Sequence, residues 1–229
     1  MSAFFRIVWI VVKKDVTVEV RSFELLSTTI FFAITVVLMF SFALVVEGRP
    51  VQEVAPAILW VAIAFSGTLA LGRTFERERQ NDTLRALLLA PADRPAIYVG
   101  KLVGILLLLV LVEIVLVPLV GLFFNAPIFA QPARLAITLL AGSLGFCAVG
   151  TLFAAMLVRA RSRDVLLPIM LYPMTVPVMI AGVRGTAALL QPTPDLPIAQ
   201  FWLGLLGAFD VVFLILALWT FDPVMTDRR

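Results

Sequence analysis

Six apolar blocks separated by short polar segments constrain this chain more than any other feature of its sequence. They run from about Leu25 to Val46, Val54 to Gly72, Leu102 to Phe124, Leu135 to Val158, Val165 to Ala181 and Trp202 to Phe221. A helix needs about 20 apolar residues to cross a hydrocarbon core of about 30 Å. Barrel strands are about half that length and alternate strictly, whereas these blocks are continuously apolar. Their backbone hydrogen bonds must therefore close within each segment. The sequence predicts an all-α polytopic membrane protein, a single membrane domain over residues 1–229 with six transmembrane helices.

Orientation follows from charge. With the amino terminus inside, the outer segments hold Arg49, Arg134 and Arg184, and the other 15 of the 18 Lys and Arg residues fall in inner segments. Such a bias sets the inner side of a membrane protein, and it holds only for an even number of spans with both termini cytoplasmic. The net charge of +3 is thereby read as topology, and no nucleic-acid partner is implied.

Residues 1–22 show no cleavable signal and read as a weak uncleaved anchor or as an interfacial helix. The apolar run Ile7 to Val12 is short, Arg6 interrupts its approach, and no small-residue cleavage site follows. The expectation is an amphipathic helix in the inner interface, with Lys13, Lys14 and Arg21 toward lipid headgroups. At the far end, Pro192, Pro194 and Pro197 predict an external loop over 187–200, with room for a short interfacial helix before them.

The longest inner segment, 73–94, carries the most chemistry. Glu76, Arg77, Glu78 and Arg79 make a dense mixed-charge cluster. Asp82 and Thr83 are suited to cap a short helix from Leu84 to Leu89 that stops before Pro91. Leu84, Leu87 and Leu88 would share one side of it. So short a helix must pack on something. Two partners fit: the inner surface of the bundle itself, or a cytoplasmic protein whose groove takes the leucines while the charges set register.

Glu113 and Asp210 lie in the middle of the third and sixth spans. A carboxyl at that depth faces protein or water. It serves a proton relay, a gating pair or a polar lock between helices, or is simply protonated and hydrogen-bonded to a neighbour. Pro168, Pro173 and Pro177 make the fifth span a candidate for a helix bend that lines a path or shapes packing. Gly142, Gly145 and Gly150 let another helix approach the fourth span closely. Trp60, Trp202 and Trp219 sit near span ends and read as interfacial anchors.

No cofactor or metal is expected on this chain. It has no histidine and a single cysteine, Cys147, in an apolar block where it reads as core filler. Met170, Met174 and Met179 offer soft sulfurs but serve as ordinary gap-fillers. A phosphate loop is missing too: around Gly100-Lys101, Pro95 and Leu102 stand where a glycine and a Ser or Thr are required. If ATP drives this protein, another chain hydrolyses it, and this one is no enzyme.

The chain resembles the heme exporter protein B family over essentially its whole length. The resemblance is carried by APAILWVAIAFSGTLALGRTFERERQNDTLRALLLAP (55–91), YVGK (98–101), LPIMLYPMTVPVMI (167–180), the basic amino-terminal segment and the six-span plan. It implies a bacterial inner-membrane permease of the type-2 ABC exporter kind, with residues 1–22 as an elbow helix and 73–94 as the segment that couples to a cytoplasmic ATPase. Glu76, Glu78, Asp82, Thr83, Leu84 and Leu87 would carry that coupling. Many relatives place a glycine where this chain has Asn81 or Asp82.

The partners implied are the ATPase heme exporter protein A, a haem-handling membrane subunit, a small accessory subunit and, indirectly, a periplasmic haem chaperone. Two copies of this subunit are implied in the complex. ATP would sit on the partner, and haem would be handled by the complex during cytochrome c maturation, either exported or released on its chaperone. Three other readings stay open at this stage. They are an ABC permease for another lipophilic compound, a proton-coupled carrier built on Glu113 and Asp210, and a scaffold that only assembles other subunits.

Overall fold

The computed structural model describes residues 3–46, 49–50, 52–80, 94–157, 160 and 162–226. Among them are seven α-helices: α1 (Ala3–Ser22), α2 (Glu24–Ala43), α3 (Ala55–Gln80), α4 (Arg94–Phe124), α5 (Pro132–Met156), α6 (Arg163–Leu189) and α7 (Leu196–Thr226). The last six are long and apolar enough to cross a membrane. An even number of crossings returns both ends of the described chain to one side. The distribution of Lys and Arg makes that side cytoplasmic.

The helices overrun the apolar blocks where polar residues still favour helix. α3 continues past Gly72 to Gln80, so Glu76 and Glu78 stand on the inner extension of a spanning helix. α4 begins at Arg94, about two turns before the apolar block. Arg163, expected in a basic loop, opens α6 and is buried. α6 then runs on to Leu189, well beyond Ala181. Pro192 and Pro194 do lie between α6 and α7, whereas Pro197 sits in the first turn of α7, where a missing N–H costs nothing. Asp195 caps that turn, its Oδ1 accepting from the Ile198 N–H at 3.1 Å. The first span ends at Ala43, and Val45–Val46 pair antiparallel with Arg49–Pro50 in a small outer ribbon.

Two turns rest on positive φ. Phe23, at φ 51°, breaks α1 from α2. Asn125, at φ 52°, ends α4, and the Ala126 N–H donates back to the Gly121 carbonyl at 3.2 Å. Asn tolerates this left-handed conformation better than most residues, which suits it to close a helix.

α3 and α5 form the centre: 67% and 72% of their most apolar windows are buried, against 17% for α7. α5 achieves this with small residues, since Gly142, Ser143, Gly145, Cys147, Ala148, Gly150 and Thr151 are all buried. α2 and α4 pack on one side of this centre, α6 and α7 on the other, and α1 lies against α4.

Candidate functional site

The outer half of the bundle is pinned by one indole. Trp60, on α3, is fully buried, so it is a core residue and not the interfacial anchor its sequence position predicts. Its ring lies against Gly142 of α5 and Gly182 of α6 so closely that a methyl group at either position would collide with it. Its Nε1–H donates to Thr186 Oγ1 on α6 at 3.0 Å. Below it, Phe146 of α5 fills the space at Gly67, and Leu71 of α3 fills the space at Gly150. Gly142 and Gly150 of α5 thus receive large side chains from α3, and between them Gly67 of α3 receives one from α5.

Glu113, on α4, is buried and accepts a hydrogen bond from the Ser143 hydroxyl of α5. Asp210, on α7, is buried against Gly145 of α5, where an added Cβ would come within 2.5 Å of its Oδ1. Ser143 and Gly145 are two residues apart, about 200° around a helix. The two carboxyls therefore meet α5 from different sides, and among the described residues Asp210 Oδ1 has no hydrogen-bond partner. Glu113 has a cross-helix hydrogen bond, an arrangement shared by the polar lock and by a carboxyl simply hydrogen-bonded to its neighbour.

α6 is helical throughout Arg163–Leu189 despite its three prolines. Pro173 and Pro177 lie on its exposed side together with Ile169, Val176 and Ile180. They face away from the interior of this bundle. Inward, Tyr172 and Thr175 are used: Thr68 Oγ1 of α3 donates to Tyr172 Oη at 3.2 Å, and the Thr175 hydroxyl donates to the Leu171 carbonyl at 3.0 Å. Phe32, Phe65 and Tyr172 continue this contact as an edge-on aromatic row from α2 through α3 to α6.

The inner end carries a second constellation that the sequence reading missed. Lys101, counted there as an inner-loop charge, is buried on α4 and reaches Asp15 of α1, with Nζ 2.8 Å from Oδ2 and 3.1 Å from Oδ1. Lys14, expected to face headgroups, also approaches Asp15, at 3.2 Å. One turn on, Glu19 Oε1 accepts from the Leu26 N–H at 2.6 Å, capping α2. Tyr98, about one turn into α4, donates to the Ala148 carbonyl of α5 at 2.9 Å. The signal that was available is the spacing of Asp15 and Glu19, one turn apart on the face that also holds Val8, Val11 and Val12.

Of the expected coupling residues, Glu76 and Glu78 lie in α3. Asp82, Thr83, Leu84 and Leu87 fall outside the described residues, as does the short helix expected there. Arg73 Nη1, just before Glu76, stands 3.9 Å from Glu24 Oε1 at the start of α2. Among the described residues no group of three or more His, Cys, Asp or Glu converges as a metal site. Cys147 is fully buried.

Six spanning helices and a packed amino-terminal helix make the plan of a polytopic membrane permease. The family described as CcmB protein matches residues 6–225. The chain belongs to that family. It is 30% identical over 201 residues to heme exporter protein B of Escherichia coli (strain K12), covering 87% of this chain and 89% of the relative. It is 28% identical over 175 residues to heme exporter protein B of Pseudomonas aeruginosa, covering 76% and 78%. To that of Bradyrhizobium diazoefficiens it is 26% identical over 179 residues, covering 78% and 80%.

Proposed function

We propose that the chain is the non-catalytic membrane subunit of an ATP-driven complex for cytochrome c maturation, and that it turns ATP hydrolysis on a partner into movement of its own bundle. The observation that carries this reading is the family match across residues 6–225, which takes in both the helical core and the inner segment between α3 and α4. ATP would be bound by heme exporter protein A. Haem would be handled by the complex, through the haem-handling membrane subunit, a small accessory subunit and the periplasmic chaperone, with two copies of this chain present. The outcome would be haem export or release of the haem-loaded chaperone. A chain without histidine cannot supply the usual axial ligand, which favours the second of these.

Residues 73–94 would take up the motion of the ATPase. α3 supports this role, because Glu76 and Glu78 extend a helix whose other end is buried at Trp60. A rigid helix transmits displacement where a loose loop would not. α1 supports the elbow-helix role: Val8, Val11, Val12 and Asp15 face the bundle, Phe5, Trp9, Val16 and Val20 form an exposed apolar stripe, and Arg6, Lys13 and Arg21 lie beside it. That division suits a helix half-sunk in a headgroup layer.

The test is recovery of the native protein with its partners, joined to a haem stain of c-type proteins with and without the gene. An ATPase and a haem-handling subunit in the complex, with c-type haem proteins lost in the deletion, is the expected result. An ATPase with c-type proteins intact would point to another exported compound, and a proton-driven activity that needs no ATPase would point to a carrier. Glu76→Ala with Glu78→Ala should leave insertion intact while weakening ATPase recovery or ATP-dependent chaperone release. Unchanged recovery, turnover and release in that variant would count against the coupling role.

A further inference from the structure

We propose that Asp15 and Lys101 are positioning residues: they clamp α1 onto the inner half of α4, so that both helices move as one body when the complex turns over. The proposal rests on the reading of this chain as an ATPase-coupled permease and adds to it the link by which α1 takes part.

Lys101 is 2% exposed on a largely apolar helix. A charge so placed is expensive unless paired. Asp15 pairs it through both carboxylate oxygens, at 2.8 and 3.1 Å. The helices come together most closely at Gly100 of α4, with Gly104 one turn further on. A methyl at Gly100 would lie 2.7 Å from Val11 Cβ and 3.3 Å from the Val8 carbonyl oxygen, and one at Gly104 would lie 3.5 Å from Asp15 Oδ2. Gly100 is not required for a turn, so the close approach it permits serves α1, while a Cβ at Gly104 would make only ordinary contact with Asp15. A small residue at a helix crossing is the usual device for such close approach.

A pair of well-packed hydrophobic residues would hold two helices together as firmly. What an ion pair adds is register: it is satisfied at one setting and leaves a bare charge at every other. Glu19 extends the constraint. It lies one turn beyond Asp15 and caps the start of α2 through the Leu26 N–H at 2.6 Å. α1 is thereby fixed to α4 at one point and to α2 at another. α4 opens at Arg94, where the inner segment 73–94 ends, and Lys101 follows seven residues later, about 10 Å along the helix. A push delivered to the first turn of α4 meets the clamp before it meets the centre of the membrane.

The experiment uses the intact complex in membranes or lipid discs. Asp15→Asn and Lys101→Met should each be recovered with the ATPase and hydrolyse ATP, while c-type haem protein formed per ATP falls about tenfold, a scale usual for coupling between sites. The exchange Asp15→Lys with Lys101→Asp should restore most of it. Undiminished yield per ATP in the assembled single variants would overturn the proposal, and so would an assembled exchange variant that restores nothing.

Where the variants do not accumulate, spin labels at Thr17→Cys on α1 and Ile114→Cys on α4 decide the matter in an otherwise unaltered chain, Cys147 being buried and silent. The clamp predicts one narrow distance, the same with and without nucleotide. A distance that changes with nucleotide would overturn it. Failure of the permease reading would look different, since no ATPase would be recovered while the nucleotide-free distance stayed narrow.

Discussion

Gly142 and Gly204 are the same residue type in two spanning helices, and they should respond oppositely to one methyl group. At Gly142 the methyl runs into the indole of Trp60, whereas at Gly204 nothing lies within 4 Å. Gly142→Ala should cost about 1–3 kcal/mol as an overpacked core position, and Gly204→Ala should be neutral or stabilise by up to about 1 kcal/mol. Thermal unfolding of the purified chain in detergent checks both. Glu113 offers a second residue-level test. Glu113→Gln keeps an acceptor for the Ser143 hydroxyl, so c-type haem protein formation should stay near the parental level. Glu113→Leu strands that hydroxyl in the core and should lower stability by about 1–3 kcal/mol. A proton carrier would instead lose activity in the Gln variant. The depth of Glu113 and the small residues of α5 were legible in the sequence. The burial of Trp60 was not, because an indole near the end of an apolar block suits an interface and a core alike, and only the facing glycines of two distant helices decide between them.

At the scale of the element, apolar content marked what lies in lipid and missed the helix beyond it. The run Arg73 to Gln80 is charged but made of good helix formers, so α3 continues through it. The start of α7 was legible in retrospect, since Asp195 followed by Pro197 is an N-cap followed by a first-turn proline. In α6 three prolines mark a candidate bend within a segment that is helical from Arg163 to Leu189, with Pro173 and Pro177 on its exposed side. Replacing both with alanine returns two N–H donors to the ladder without entering the core. The variant should therefore unfold at or above the parental temperature, as measured by the same thermal assay. A marked loss would mean that these rings are packed against something.

Across the whole molecule, the six crossings and their direction were legible because length, hydropathy and basic charge are properties of the chain read in order. Which helices touch was not, because the contacts of α1 with α4 and of α3 with α6 join residues far apart in that order. The topology itself has a direct check. Phe129, in the exposed turn between α4 and α5, and Ser162, exposed just before α6, fall on opposite sides. Phe129→Cys should react with an impermeant thiol reagent in spheroplasts, and Ser162→Cys only once the membrane is opened, with buried Cys147 giving no background.

The indole that three helices share also sets how the bundle can rearrange. α3, α5 and α6 cannot slide lengthwise past one another without pulling Trp60 out of its slot, but they can tilt around it. From Trp60 to Gln80 is 20 residues of continuous helix, an arm of about 30 Å. A tilt of about 5° at that fulcrum moves the inner end by about 2.6 Å. That makes the outer leaflet the still end of α3 and the cytoplasmic surface the end with stroke.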